Sequence, residues 1–283
     1  MTNVVTRPRI AASSYLNTAP LIWAFQQGSL TNAVELVTDA APARCGDLLA
    51  RGRVDAALVP IIEYQRMPDV RIVPDVCVGS HSAVRSVVLV SKYDELARVC
   101  TVALDESSRT SQALVKIIFR EFVGVKPDWQ SVGPDAPAML QHNDAALVIG
   151  DPAMMISLPG VHVFDLATVW HRFTNTGFVF AMWMTDLSRV EAVSKINFAA
   201  ARDEGLQNLE QIVANYREEV PLPAAELRKY LTENITFHVD EKLEQGMRLY
   251  FELALKHGLI HENKPLQFTD KRDSSPTVRE GLS

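Results

Sequence analysis

The sequence predicts an α/β fold made of two similar units with largely parallel sheets. Three observations predict it. Apolar runs of strand length alternate with helical spacings through the first half of the chain, which is the pattern of βαβ units. Two segments follow one plan: Ala41-Pro42-Ala43 then Asp55-Ala56-Ala57-Leu58-Val59, and Ala136-Pro137-Ala138 then Asp144-Ala145-Ala146-Leu147-Val148. Two β-rich runs, 84–91 (VRSVVLVS) and 177–184 (GFVFAMWM), stand where the chain would leave the first unit and return to it. Chance likeness in alanine-rich sequence is the plainer account of the echo. The functional account is two lobes built on one plan, with a cleft between them.

The elements follow in order. Residues 9–12 read as a strand, and 20–27 as a helix with Pro20 near its start, where a missing N–H is harmless. A strand is expected at 33–38, a helix at 42–50 before Gly52, and a third strand at 55–59. The second unit begins near Ser91, with a strand at 100–104 and a polar turn at 107–111. Leu114, Ile117, Ile118 and Phe122 then recur at helical spacing before Gly124. An extended segment at 126–132, a helix at 136–140 and a strand at 145–149 follow. Beyond the return run, helices are expected at 187–203, 206–217, 223–231 and 241–257, with a strand or edge segment at 235–239. The polar run from Thr269 reads as a mobile tail, 269–283. Trp23 and Trp170 are expected in the core.

Composition narrows the function. The chain has 283 residues, 47% of them hydrophobic, and a net charge of −6. No basic run or positive field is present to attract nucleic acid, so an anionic ligand has to be held by local donors. Residues 1–14 lack the apolar stretch of an export signal, and the longest apolar runs are too short to span a bilayer. The three cysteines, Cys45, Cys77 and Cys100, form no CxxC and read as small hydrophobes of a reducing compartment. The cytoplasm is the expected location, with neither nucleic acid nor membrane as partner.

The common catalytic motifs are absent: no GxxxxGK[ST], HExxH, GxSxG or glycine-rich dinucleotide fingerprint occurs. The seven histidines show no metal-ligand spacing. What remains are polar clusters after predicted strands, where open α/β sheets bind ligands. SSYLN (13–17) follows the first strand, and Asn17 offers both a donor and an acceptor, although a serine there also serves to cap a helix. Ser86 lies in the first crossing. The 107–111 turn holds Ser107, Ser108, Arg109, Thr110 and Ser111 before a helix. Capping needs one hydroxyl, and four suit an anion at the helix N-terminus. Asp151, before Pro152, is either a turn residue or a carboxylate accepting a ligand hydroxyl. Arg85 and Arg109 are ligand contacts or members of surface ion pairs.

SYLNTAPL, VRSVVLVS, LDESSRTSQALVK, AALVIGDPAM and FVFAMWM, in this order and spacing over about 9–184, resemble the chorismate dehydratases. That family makes the first committed intermediate of the futalosine route to menaquinone. The resemblance implies the two-lobed fold of type 2 periplasmic solute-binding proteins, with two inter-lobe crossings. Lobe one would be 1–88 plus 180–283, and lobe two 89–179. It implies a cytoplasmic carbon–oxygen lyase that removes water from chorismate to give 3-[(1-carboxyvinyl)oxy]benzoate, and it requires no metal, nicotinamide or flavin. Asn17 would hold or polarise the departing hydroxyl. Ser86 and the turn Ser108, Arg109, Thr110 and Ser111 would meet the carboxylates. Ser14 and Tyr15 would line the pocket with Asp151, which is also a candidate base; the substrate's own enolpyruvyl carboxylate is the other. The rival readings are the paralogous 1,4-dihydroxy-6-naphthoate synthase, from which SYLN sets this chain apart, and a cytoplasmic small-anion binder without chemistry.

Overall fold

The structure is a computed structural model that describes residues 7–270. Ten strands form two five-stranded sheets among the described residues. They are β1 (Arg9–Ser13), β2 (Glu35–Asp39), β3 (Ala56–Pro60), β4 (Val70–Ser80), β5 (Val87–Ser91), β6 (Thr101–Asp105), β7 (Asp128–Val132), β8 (Ala145–Ile149), β9 (His162–Asp165) and β10 (Phe178–Asp186). The sheet orders are β2-β1-β3-β10-β4 and β7-β6-β8-β5-β9. β1 pairs in parallel with β2 and β3, and β6 with β7 and β8.

The two orders are the same arrangement. In each, a central strand leads through a helix to the outer strand, and a second helix leads back to the inner one. The helices are Ala19–Gln26 and Pro42–Ala50 in the first lobe, Arg109–Ile117 and Ala136–His142 in the second. The fourth strand of each sheet is antiparallel and comes from a crossing: β5 lies beside β8 in the second sheet, and β10 beside β3 in the first. The echo in the sequence is therefore a shared topology, and the molecule is two-lobed with two inter-lobe crossings.

Local chemistry accounts for the main elements. β3, β5 and β8 are buried at every position, as continuous apolar runs require when both faces of a sheet are covered. Pro42 and Pro137 stand in the first turns of their helices, and the Asp135 side chain accepts from Ala138 N at the second of these. Gly124, at φ 80°, ends the helical run begun at Arg109. Trp170 is fully buried and Trp23 nearly so.

Three differences from the sequence reading have physical causes. β4 went unpredicted because Pro74 and Asp75 interrupt it; Asp75 has φ 61°, and proline in an apolar run argues against a strand. β10 accommodates the interruption with register shifts between Val179 and Ala181 and between Met182 and Met184. The stretch 187–203 is not one helix: Asn197 accepts from Ala200 N and starts a new helix, Phe198–Gln207. The edge segment at 235–239 is reduced to one bridge, Gly79 to Thr236. The tail beyond residue 270 lies outside the described residues.

The helix Glu241–Lys256 packs against the start of β10 through a glycine. A Cβ on Gly246 would lie 1.9 Å from the Gly177 carbonyl oxygen, so helix and backbone would have to part. Gly246→Ala is expected to lower the unfolding free energy by about 1–3 kcal/mol, the usual cost of overpacking. A urea midpoint equal to the wild type's would show that the two segments are not in contact.

Candidate active site

Four strands deliver their carboxyl ends to one cleft between the lobes. From the first lobe come β1, continued by a turn of 3₁₀ helix at Leu16–Thr18, and β3, ending at Pro60. From the second come β6, which leads to the helix Arg109–Ile117, and β8, which leads to Gly150. The cleft holds about 560 Å³ of empty space including its mouth. Ser13, Tyr15, Asn17 and Thr18 line one wall, and Ser108, Thr110 and Ser111 the other, with Ser86 at the crossing between them; Phe180, Val84 and Pro42 supply apolar surface.

Each polar group is held for a reason. The Ser13 and Thr18 hydroxyls are 2.8 Å apart, and Thr18 Oγ1 donates to Asn17 Oδ1 at 3.3 Å. One lone pair of the Asn17 carbonyl is thereby engaged, which leaves its NH₂ as the donor end. Ser108, at the N-cap of Arg109–Ile117, makes no capping bond with its side chain. The helix N-terminus and the Ser108 and Ser111 hydroxyls are therefore available to an anion. Thr110 ties the wall to the first lobe: its Oγ1 accepts from Ile62 N at 3.3 Å and its carbonyl from Tyr250 Oη at 3.0 Å. Ser107 is turned away, its hydroxyl donating to Asp105 Oδ1 at 2.6 Å.

Tyr15 reaches across the cleft. Its ring covers Gly150, where a Cβ would come within 2.5 Å of the ring and where φ is 69°. Burial, then the charge of Asp105, pushes the Tyr15 phenol up to about 12, so it remains a neutral donor. No Asp, Glu, His, Lys or Arg lines the cavity among the described residues. An anion entering it meets only hydroxyls, an amide and backbone N–H groups.

Besides Ser107, four of the residues singled out from the sequence lie outside the cavity wall. Arg109 is directed away from the cleft and bridges the lobes, with Nη1 donating to Glu63 at 2.9 Å and Nη2 to Asp47 at 2.7 Å. Ser14 faces a separate groove beside Trp23 and Tyr216, and its carbonyl accepts from Tyr216 Oη at 3.0 Å. Successive side chains of an extended segment point to opposite sides, so Ser13 enters the cleft and Ser14 cannot. Asp151 stands behind the wall and clasps the opposite lobe, both carboxylate oxygens lying 3.1 Å from Leu16 N. Arg85 is in an ion pair with Glu226.

Sequence reasoning missed Thr18, Phe180 and, behind the wall, Tyr230. Thr18 was within reach, two residues on from Leu16 in a polar stretch. Tyr230 carries no local signal, because its partner Ser86 is 144 residues distant. Among the described residues, no group of three or more His, Cys, Asp or Glu is placed to hold a metal ion, and no helix is long and apolar enough to cross a membrane.

Two lobes, two crossings and a polar cleft at the strand ends define the periplasmic-binding-protein-like class. Solved structures agree on the fold. A protein from Archaeoglobus fulgidus superposes with a TM-score of 0.72 at 14% identity, covering 91% of this chain and all of that one. The periplasmic aliphatic sulphonate binding protein of Escherichia coli gives 0.62 at 18% identity, covering 98% of each chain. Within this class the chain belongs to the family described as menaquinone biosynthesis, whose model matches residues 8–256. A chorismate dehydratase of Thermus thermophilus is 29% identical over 235 residues, 76% of this chain and 85% of the relative.

The inter-lobe clasp has a pH signature. Burial, partly offset by the Leu16 N–H and reinforced by Glu219, raises the Asp151 carboxyl from 3.8 to about 6. Between those values the folded chain holds a proton that the unfolded chain has released. The contribution of this group to stability is thus largest below about pH 4, falls as the pH rises to about 6, and is level above that. Asp151→Asn keeps an acceptor for Leu16 N and removes the titration. Relative to this variant, the wild type is expected to lose thermal stability from pH 4 to pH 6. A difference that stays constant over that range would contradict the placement of Asp151.

Proposed function

We propose that the protein is a chorismate dehydratase, a hydro-lyase of menaquinone biosynthesis acting in the cytoplasm. The division of the chain into 1–88 plus 180–283 and 89–179 belongs to the same reading. The observation that carries it is a cleft rich in neutral donors and free of ionisable side chains other than Tyr15, in a chain of this family. Chorismate brings two carboxylates, a ring hydroxyl and an enolpyruvyl ether, which need several donors and no counter-charge of opposite sign in contact.

The reaction removes the hydrogen at the ether-bearing ring carbon as a proton and the neighbouring hydroxyl as hydroxide. The C–H electron pair enters the ring, the C–O bond breaks, and the ring becomes benzenoid in 3-[(1-carboxyvinyl)oxy]benzoate. Proton and hydroxide leave as water. Asn17 stabilises the departing oxygen through its NH₂. Ser86, Ser108, Thr110 and Ser111 hold the carboxylates, the last three at the N-terminus of their helix. Tyr15 closes the cleft over Gly150.

With Asp151 engaged by Leu16 N, the group best placed as base is the enolpyruvyl carboxylate of the substrate. An intramolecular group held in a reactive geometry is equivalent to roughly 10⁵ M or more of free reagent, whereas a protein base contributes about 10²–10⁴-fold. Asp151 and Arg109 act by keeping the lobes together.

Incubating the protein with chorismate should yield, by mass spectrometry, a product lighter by one water. Asn17→Ala is expected to lower kcat by about 10²-fold, the usual loss on removing a donor to a developing oxyanion. A chorismate ester blocked at the enolpyruvyl carboxylate is expected to bind without reacting. Binding heat with no new product would make the protein an anion binder. Normal turnover of the ester would return the proton transfer to a protein group.

A further inference from the structure

We propose that Tyr230 is a positioning residue that fixes the Ser86 hydroxyl as a hydrogen-bond donor into the cleft. The inference rests on the dehydratase reading of the site and adds to it a residue that contributes nothing to the cavity wall.

Tyr230 is wholly buried behind the wall, and its Oη donates to Ser86 Oγ at 2.7 Å. Ser86 is itself fully buried within the protein yet borders the cavity. Its backbone is tied on both sides: Ser86 N donates to the Val84 carbonyl at 2.7 Å, and its own carbonyl accepts from Gly150 N at 2.8 Å. A serine hydroxyl carries one proton and two lone pairs. With one lone pair engaged by Tyr230, the proton's acceptor among the described residues is the Val84 carbonyl, at 3.4 Å. That is well beyond the usual O–H···O distance of about 2.8 Å. A ligand carboxylate or hydroxyl in the cleft is the better acceptor, and a hydroxyl that already accepts a hydrogen bond is a stronger donor.

Two further observations support this role. Burial pushes the phenol far above its ordinary range and keeps it protonated, as a donor to Ser86 must be. The chain around Tyr230 is also wound unusually. From Tyr230 to Asn234 it forms a wide turn closed by Ile235 N donating to the Tyr230 carbonyl at 3.1 Å, a form found disproportionately at functional sites. Asn234 anchors this turn to the crossing through Nδ2 donating to the Ala83 carbonyl at 3.0 Å. The phenol is thus aimed by a dedicated turn at the residue that enters the second lobe.

The test is a double-mutant cycle with Tyr230→Phe, Ser86→Ala and the double variant, reading kcat/KM for chorismate. Tyr230→Phe keeps the ring and is expected to lose about tenfold, the scale of one polar contact, with a thermal midpoint close to the wild type's. In the Ser86→Ala background the same change is expected to cost less than about twofold, because the group it acts through is gone. Equal losses in both backgrounds, or no loss in the single variant, overturn the proposal. Should Tyr230→Phe fail to fold, the [¹³Cζ]-tyrosine resonance of Tyr230 decides: it has to move on Ser86→Ala and on adding chorismate, and a resonance unmoved by either overturns the role. Protein that binds chorismate without converting it defeats the dehydratase reading alone, and the cycle is then read in Kd by the same criterion. Protein that converts chorismate but shows multiplicative losses defeats the Tyr230 proposal alone. Protein that neither binds nor converts it defeats both.

Discussion

The Asp151 carboxylate accepts the Leu16 N–H across the cleft, and the site exists only while the lobes are held in that relation. Neither wall is sufficient by itself. The first supplies Asn17 and Tyr15, the second the hydroxyls of the 108–111 turn, and Ser86 stands at the crossing between them. Arg109 reinforces the clasp with ion pairs to Asp47 and Glu63, and the Ala43 N–H donates to the Ser107 carbonyl at 3.2 Å. Most of these contacts use backbone groups or side chains set back from the cavity. The protein therefore separates closing the cleft from lining it.

That separation would let a net-negative chain accommodate the proposed dianion. Charged side chains bind the lobes to one another, and neutral dipoles meet the ligand. Oriented hydroxyls, an amide and a helix terminus stabilise developing charge without being neutralised by it. A cationic side chain on an unreacting carboxylate would hold substrate and transition state alike, and binding both equally does not accelerate the chemical step. The proposed use of the substrate's own carboxylate as base fits the same economy, because the cleft then needs only to orient.

Much of this was legible in sequence. The parallel trio of each sheet showed through because a strand–helix–strand alternation with buried apolar runs has few other readings. That Asn17, Ser108, Thr110 and Ser111 line the cavity was legible because ligand clefts gather at strand ends, and these are polar residues in excess of what capping needs. Side-chain direction was not legible. Ser13 and Ser14 are neighbours of one type, and only the pleat decides which enters the cleft. Arg109 sits among cavity hydroxyls in sequence, yet its length carries it to Asp47 and Glu63. Tyr230 was hidden because a contact with Ser86 depends on the packing of the C-terminal helices against the crossing, and no local pattern encodes it. β4 was hidden by Pro74.

The central claim is that neutral groups from both lobes orient a dicarboxylate ring compound in a cleft without a protein base. A crystal structure with 3-[(1-carboxyvinyl)oxy]benzoate bound tests it most directly. The account predicts one molecule in the cleft, with its carboxylates on Ser86 and the Ser108–Ser111 turn, the Asn17 NH₂ beside the ring carbon that lost its hydroxyl, and the enolpyruvyl carboxylate lying over the carbon that lost its proton. A ligand seated elsewhere, or a histidine or acidic side chain within hydrogen-bonding reach of that carbon, would contradict it.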